Sequence, residues 1–95
     1  MLVITSRLVV LPGTEASVAE AVRALVVPSR SEPGCITYFA HRSLDHPGTF
    51  LFYEQWADQD AFELHQRTPH FERLVSGIVG PCVDERQREL YELIE

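Results

Sequence analysis

The chain has no lysine, and its eight basic residues, all arginines, are outnumbered by 14 acidic ones, giving a net charge of −6. Without a lysine amine the protein cannot form a Schiff base or use a lysine as a base. An acidic chain also offers no positive field to nucleic acid or to an anionic membrane. Any base must therefore be a carboxylate or one of the four histidines, and neither nucleic acid nor a membrane is an expected partner.

Cysteine is also scarce, and no hydrophobic run is long. Cys35 and Cys82 do not form a C-x-x-C motif, and without a secretory signal they indicate reduced thiols and a cytoplasmic protein. The apolar start, MLVITSRLVVL, is too short to span a bilayer. A length of 95 residues with 45% apolar content predicts one domain, residues 1–95, near the size at which stability is marginal.

Residue periodicity predicts the order strand, helix, strand, strand and a pair of helices. The strands are expected at residues 2–11, 35–43 and 49–57, with a hairpin turn at Asp45-His46-Pro47-Gly48. The first helix is expected to begin at an N-cap, Thr14, and to end before Pro28. Asp58 is expected to cap the next helix, and Thr68-Pro69 to open a last one. Its inward residues would be Phe71, Leu74, Val75 and Ile78.

The final segment, CVDERQRELYELIE, fits both a helical stripe and one face of a strand, and its periodicity slightly favours a helix. As a strand it would complete a ferredoxin-like βαββαβ plan, an α+β fold with a four-stranded antiparallel sheet. Helices cover only one face of such a sheet. The bare face predicts a homodimer.

Most of the reactive residues lie between Phe50 and Phe71. Side chains alternate along a strand, so Phe52, Glu54 and Trp56 share one face while Tyr53 lies on the other. Helical spacing turns Phe62 and His65 to a common inward side. A histidine has a pKa suited to accepting a proton near pH 7. His65 is therefore the candidate base.

These residues resemble the antibiotic biosynthesis monooxygenase family, which includes quinol monooxygenases. The resemblance is carried by Glu32-Pro33-Gly34-Cys35, Tyr38, Phe50, Tyr53-Glu54, Trp56, Ala61, His65 and Thr68-Pro69-His70-Phe71. It implies a dimeric α+β barrel in which the last segment is a strand. It also implies a pocket in each subunit between the sheet and the helices.

The family resemblance further implies a monooxygenase that needs neither metal nor flavin. Ground-state O2 reacts poorly with closed-shell molecules, so a deprotonated quinol or polycyclic phenol must supply the electron. The protein then has to accept a phenolic proton, hold a ring and exclude water. The predicted catalytic residues are His65, Trp56 and Glu54, with Glu54 orienting His65 or bonding the substrate. The predicted substrate-binding residues are Phe52, Tyr38, Phe62, His70 and Phe71.

Other interpretations fit the same residues. Relatives of similar sequence act as isomerases, so an isomerase or a small-molecule-binding protein is the alternative, and a structural domain with a filled pocket is a third. Haem degradation is not expected, because Val75 and Ser6 replace that branch's histidine and asparagine. A metal is not expected either, because His65 and His70 would point about 140° apart on one helix.

Overall fold

The computed structural model describes all residues 1–95 and has the predicted α+β order. Its elements are β1 (Leu2–Val10), α1 (Glu15–Arg30), β2 (Cys35–Arg42), β3 (Thr49–Trp56), α2 (Gln59–Gln66), α3 (Phe71–Val79), α4 (Gly80–Cys82) and β4 (Val83–Glu92). The strands form one antiparallel sheet in the order β2-β3-β1-β4. None of the helices combines the length and apolar content needed to cross a bilayer. The ferredoxin-like βαββαβ fold is confirmed.

The final segment is a strand, so its periodicity was a poor guide. β4 is an edge strand, and its residues after Val83 are exposed on both faces. Side-chain alternation therefore carries little information there, whereas backbone pairing with β1, from Leu2↔Glu92 to Val10↔Val83, fixes the conformation.

The core lies between one face of the sheet and the helices. Alternation along β3 is as expected, since Phe50, Phe52, Glu54 and Trp56 are buried while Leu51 is exposed. From α1, the core receives Val18, Ala21, Val22 and Leu25.

A β-bulge changes the face of one residue on β2. Cys35 pairs with Trp56 but Thr37 already pairs with Gln55, so the register shifts between them. As a result Ile36 is 53% exposed, whereas Tyr38 is 2% exposed. Strict alternation from residue 35 would place Ile36 on the face of Tyr38, but alternation does not continue through a bulge.

Pro28 does not end α1, which continues to Arg30. A proline removes only its own N–H from the helical ladder. The next turn closes normally, as Ser31 N donates to Val27 O at 3.1 Å. The extra turn buries Ser29 and shortens the connection to β2.

α3 is a π-helix, and its wider turn changes which residue faces the core. Gly80 N–H donates to Val75 O, five residues back. Leu74 and Val79, also five residues apart, are both buried, while Ile78 is 39% exposed. The expectation that Ile78 points inward assumed α-helical spacing and was wrong.

Candidate functional site

A cavity of about 350 Å³ opens between the helix-covered face of the sheet and the helices. This volume lies within the usual range for small-molecule sites, roughly 300–1,000 Å³. Six of the eight predicted site residues line it, namely Tyr38, Phe52, Glu54, Phe62, His65 and Phe71. Trp56 and His70 do not. The space between the sheet and α2 is thus partly open rather than filled by the protein's own side chains.

His65 is held by a residue that was not predicted to be in the site. Its Nδ1 lies 2.7 Å from Glu32 Oε2, and Glu32 comes from the loop between α1 and β2. The ring itself is 1% exposed and packs between Trp56 and Phe71, with ring centroids 4.5 Å and 5.1 Å away. Packing and the carboxylate together fix its orientation.

The Glu32 contact also determines which nitrogen of His65 carries a proton. An ionised carboxylate only accepts hydrogen bonds, so Nδ1 must be the N–H donor. In a neutral imidazole, Nε2 is then an acceptor. No protein group forms a hydrogen bond with His65 Nε2. Among fully buried polar side-chain atoms only Ser29 Oγ lacks a partner, so Nε2 is not one of the fully buried atoms. Nε2 therefore keeps some exposure, and the cavity that His65 lines provides it.

Burial keeps this imidazole neutral. Desolvation lowers the pKa of His65 below its ordinary value, and the hydrogen bond and charge of Glu32 oppose that shift only in part. The folded protein thus presents an uncharged acceptor nitrogen to the cavity at neutral pH.

Glu54 does not orient His65, and that part of the prediction was wrong. Its Oε1 accepts a hydrogen bond from Trp56 Nε1 at 2.9 Å. The two residues are separated by one position on the same face of β3, so their side chains are neighbours. The predicted role of Glu54 as the partner of His65 belongs to Glu32.

Trp56 supports the site from behind rather than lining it. The indole is fully buried, lies against His65 on one side and holds Glu54 through its N–H. Because the indole packs directly against the imidazole, no space remains between Trp56 and His65. The cavity therefore lies on the other side of the histidine. Trp56 is a positioning residue for both titratable groups.

Glu54 is the second titratable group at the cavity. Burial raises the pKa of this carboxyl from 4.5 to about 7, although the Trp56 hydrogen bond and the charge of Arg88 both favour ionisation. Its Oε2 has no protein partner. At neutral pH part of the population therefore carries a neutral carboxylic acid that can donate a proton into the cavity.

His70 lies beside His65, contrary to the expectation that the two point apart. The helix breaks between α2 and α3, and Thr68 Oγ1 bonds both His65 O and Phe71 N at this break. The turn brings His70 Nε2 within 2.7 Å of Glu32 Oε2. The angular estimate assumed one continuous helix and was wrong.

Glu32, His65 and His70 form a donor set of the kind that could hold a metal, with ligand atoms within 4.8 Å of one another. However, ligand atoms on a tetrahedral zinc stand about 3.4 Å apart, as bonds of about 2.1 Å require. The two 2.7 Å contacts here join the nitrogens directly to one carboxylate oxygen. They are hydrogen bonds between partners that satisfy each other. That the chain works without a metal stays a prediction.

Small and basic residues complete the cavity. Ser6 pairs with Phe52 on β3 and with Arg88 on β4, so the three side chains form one row across the sheet. Ser6, Arg88 and the neighbouring Arg86 all line the cavity. The short side chain of Ser6 leaves the centre of this row open. Neither arginine was predicted to be a site residue, because nothing in the sequence pattern around them distinguishes them.

The fold and this cavity define a small α+β protein with a histidine-lined cavity of a size that suits a small molecule. Comparison with known proteins identifies the family. Residues 1–76 match the model of the antibiotic biosynthesis monooxygenase family, and the chain belongs to that family.

Several relatives are similar along most of the chain. Protein sll1783 of Synechocystis is 28% identical over 94 residues, which are 99% of this chain but only 64% of that protein. YcnE of Bacillus subtilis, whose name proposes a monooxygenase, is 29% identical over 76 residues, or 80% of each chain. The crystal structure of PA3566 from Pseudomonas aeruginosa superposes with a TM-score of 0.91 at 31% identity, covering 99% of this chain and 94% of the other.

Proposed function

We propose that the protein is a cofactor-independent monooxygenase that oxidises a small phenolic, quinol or polycyclic aromatic substrate with O2. The observation that carries this proposal is the Glu32–His65 pair. Glu32 directs the basic nitrogen of a neutral histidine toward a cavity with aromatic walls. Such a nitrogen can accept a phenolic proton, and the resulting electron-rich anion is the species that reacts with O2.

The walls of the cavity suit a flat aromatic ring. Phe52, Phe62 and Phe71 offer apolar faces and edges, and aromatic pairs gain stability in offset or edge-to-face contact. Tyr38, 2% exposed, packs edge-on against His65 with ring centroids 5.7 Å apart. A ring bound among these side chains would exclude water from the proton-transfer step.

Oxygen uptake tests the proposal. Hydroquinones and anthrones would be supplied to the wild type and to the His65→Ala and Trp56→Phe variants, with His46→Ala, in the exposed hairpin turn, as the matched control. Loss of a positioned base costs roughly a hundredfold or more in rate, so His65→Ala should be nearly inactive and His46→Ala normal. Trp56→Phe, which keeps an apolar ring but loses the Glu54 hydrogen bond, should be less impaired. No uptake above background with any substrate would refute the oxygenase.

An isomerase or small-molecule-binding protein without oxygenase activity is the second candidate, and Glu54 favours it. An isomerase needs an acid as well as a base, and a carboxyl with a pKa of about 7 faces the same cavity as His65. Turnover of a hydroxycarbonyl substrate under strict anaerobiosis would support this candidate, whereas a strict requirement for O2 would eliminate it.

The homodimer and the cytoplasmic location belong to the same proposal. The sheet face opposite the helices exposes several large apolar side chains, Ile36 (53%), Phe39 (49%) and Leu51 (42%). A second copy packed on this face would remove them from water. Sedimentation at micromolar concentration should show a dimer, and a monomer would contradict the claim.

A further inference from the structure

Two arginines of the exposed strand β4 line the cavity, and neither forms a salt bridge. Arg86 and Arg88 both line it, and no carboxylate lies within salt-bridge distance of either guanidinium. Neither guanidinium is engaged by a protein acceptor, unlike Arg30, which donates to Tyr38 O at 2.9 Å, and Arg42, which donates to Glu15 O at 3.1 Å. No arginine of the chain forms a salt bridge, and Arg86 and Arg88 are the two that line this cavity.

β-sheet register places these arginines across from the aromatic wall. Arg88 and Phe52 both pair with Ser6, so they are two strand spacings, about 10 Å, apart along the sheet. The Arg88 guanidinium carbon also lies 5.6 Å from the centroid of the Phe62 ring. Arg88 thus projects from β4 over the same space that the phenylalanines enclose, and the small Ser6 lies beneath it.

Glu54, the acid inside the cavity, feels the charge of Arg88 but forms no salt bridge with it. Glu54 pairs with Ile4 rather than with Ser6, one row away from Arg88, and its carboxyl is partly protonated near neutral pH. A guanidinium binds a carboxylate with two parallel, charge-assisted hydrogen bonds. A ligand that carried such a group would supply the missing partner.

We propose that the substrate is an aromatic acid, whose ring lies between Phe52 and Phe62 and whose carboxylate is bound by Arg88 with the help of Arg86. This deepens the proposed function, since it names the substrate class of the same cavity. The arginines select the charged group, while His65 faces the ring. Neutral quinols then bind more weakly than the corresponding acids.

Equilibrium binding without oxygen tests this assignment independently of any turnover. The single tryptophan of the chain, Trp56, packs against His65 and reports binding by its fluorescence. The probes are gentisate, its neutral methyl ester and hydroquinone, which share one dihydroxybenzene ring. Wild type should bind gentisate about tenfold or more tightly than the methyl ester, as expected for a charge-assisted pair.

Arginine variants assign the preference to the cavity. Arg88→Gln should abolish the preference for gentisate, Arg86→Gln should reduce it, and Arg73→Gln, an equal charge change on the exposed side of α3, should leave it unchanged. Equal affinity for acid and ester, a preference that survives in Arg88→Gln, or binding of none of the three probes would overturn the proposal. Oxygen uptake could fail while the charge preference holds, so the two proposals fail separately.

Discussion

Replacing Glu54 by glutamine should remove a large pH dependence of stability. The pKa of this carboxyl is raised from 4.5 to about 7 in the folded protein, chiefly by burial. Between pH 4.5 and about pH 7 the folded state binds more protons than the unfolded state, so the free energy of unfolding falls as pH rises. The contribution is fully present below about pH 4.5 and is lost through pH 7. Each unit of pKa difference corresponds to about 1.4 kcal/mol, so the total loss by pH 8 is about 3 kcal/mol.

Glutamine at position 54 separates this contribution from the others. It stays neutral at every pH and can still accept the hydrogen bond from Trp56 Nε1. At pH 4 the variant and the wild type should therefore have similar free energies of unfolding, and by pH 8 the variant should be more stable by about 3 kcal/mol. His65 changes stability in the opposite direction. Its pKa is lowered in the folded protein, so stability is lost as pH falls below the pKa that His65 has in the unfolded chain. This loss occurs in both proteins, so the difference isolates Glu54.

Urea unfolding at several pH values and one protein concentration measures this difference. Glu63→Gln, an identical chemical change on the exposed face of α2, is the matched control and should follow the wild-type curve. If the Glu54→Gln and wild-type stabilities ran parallel from pH 4 to pH 8, Glu54 would not be a buried, neutral acid. Its assigned role at the cavity would then be wrong.

Three further substitutions test how the site is built. Glu32→Gln should let both His65 tautomers form, which nitrogen NMR shifts would show, and it should slow turnover by roughly a hundredfold. An unchanged tautomer would contradict the assigned hydrogen bond. Ser6→Leu should fill the cavity and abolish ligand binding, while the free energy of unfolding changes by less than about 2 kcal/mol. Undiminished binding would show that the ligand binds elsewhere. Gly34→Ala would make its new Cβ clash with Ala61 Cβ and should destabilise the protein by about 1–3 kcal/mol. Ala61→Gly in the same chain should restore most of that loss, and no rescue would refute the contact.

The sequence predicted the features that depend on local periodicity. The alternation along β3 divided Phe52 and Glu54 from Leu51 as observed, because one face of that strand is buried throughout. Asp58 caps α2 as expected, with Oδ1 accepting from Ala61 N at 2.8 Å. Spacing on α2 also placed His65 inward, where it is 1% exposed. The orientations of these side chains are determined by contacts within one helix or strand and with its nearest neighbours.

What the sequence did not predict depends on contacts between distant segments. Glu32 lies 33 positions before His65, on a loop whose course is set by the unforeseen last turn of α1. The nearer carboxylate, Glu54, was the natural partner to expect from sequence, but β3 directs it to Trp56. The helix break before His70 was predicted, but the contact of His70 with Glu32, 38 positions earlier, was not. A hydrogen bond between residues that are distant in sequence leaves no periodic signal.

Burial acts on the two titratable groups of the cavity in opposite directions, with a common chemical result. It lowers the pKa of His65 and raises that of Glu54 to about 7, so near neutral pH His65 is uncharged and part of the Glu54 population is protonated. A neutral base and a neutral acid can share one apolar cavity without a net charge to solvate. His65 can then accept a proton from a bound phenol while Glu54 donates a hydrogen bond to the oxygen atom on which charge develops. In the proposed oxygenase reaction the protein would supply only proton transfer, and the substrate would supply the electron for O2. The same pair of residues would therefore catalyse isomerisation of a ligand that has no oxidisable ring.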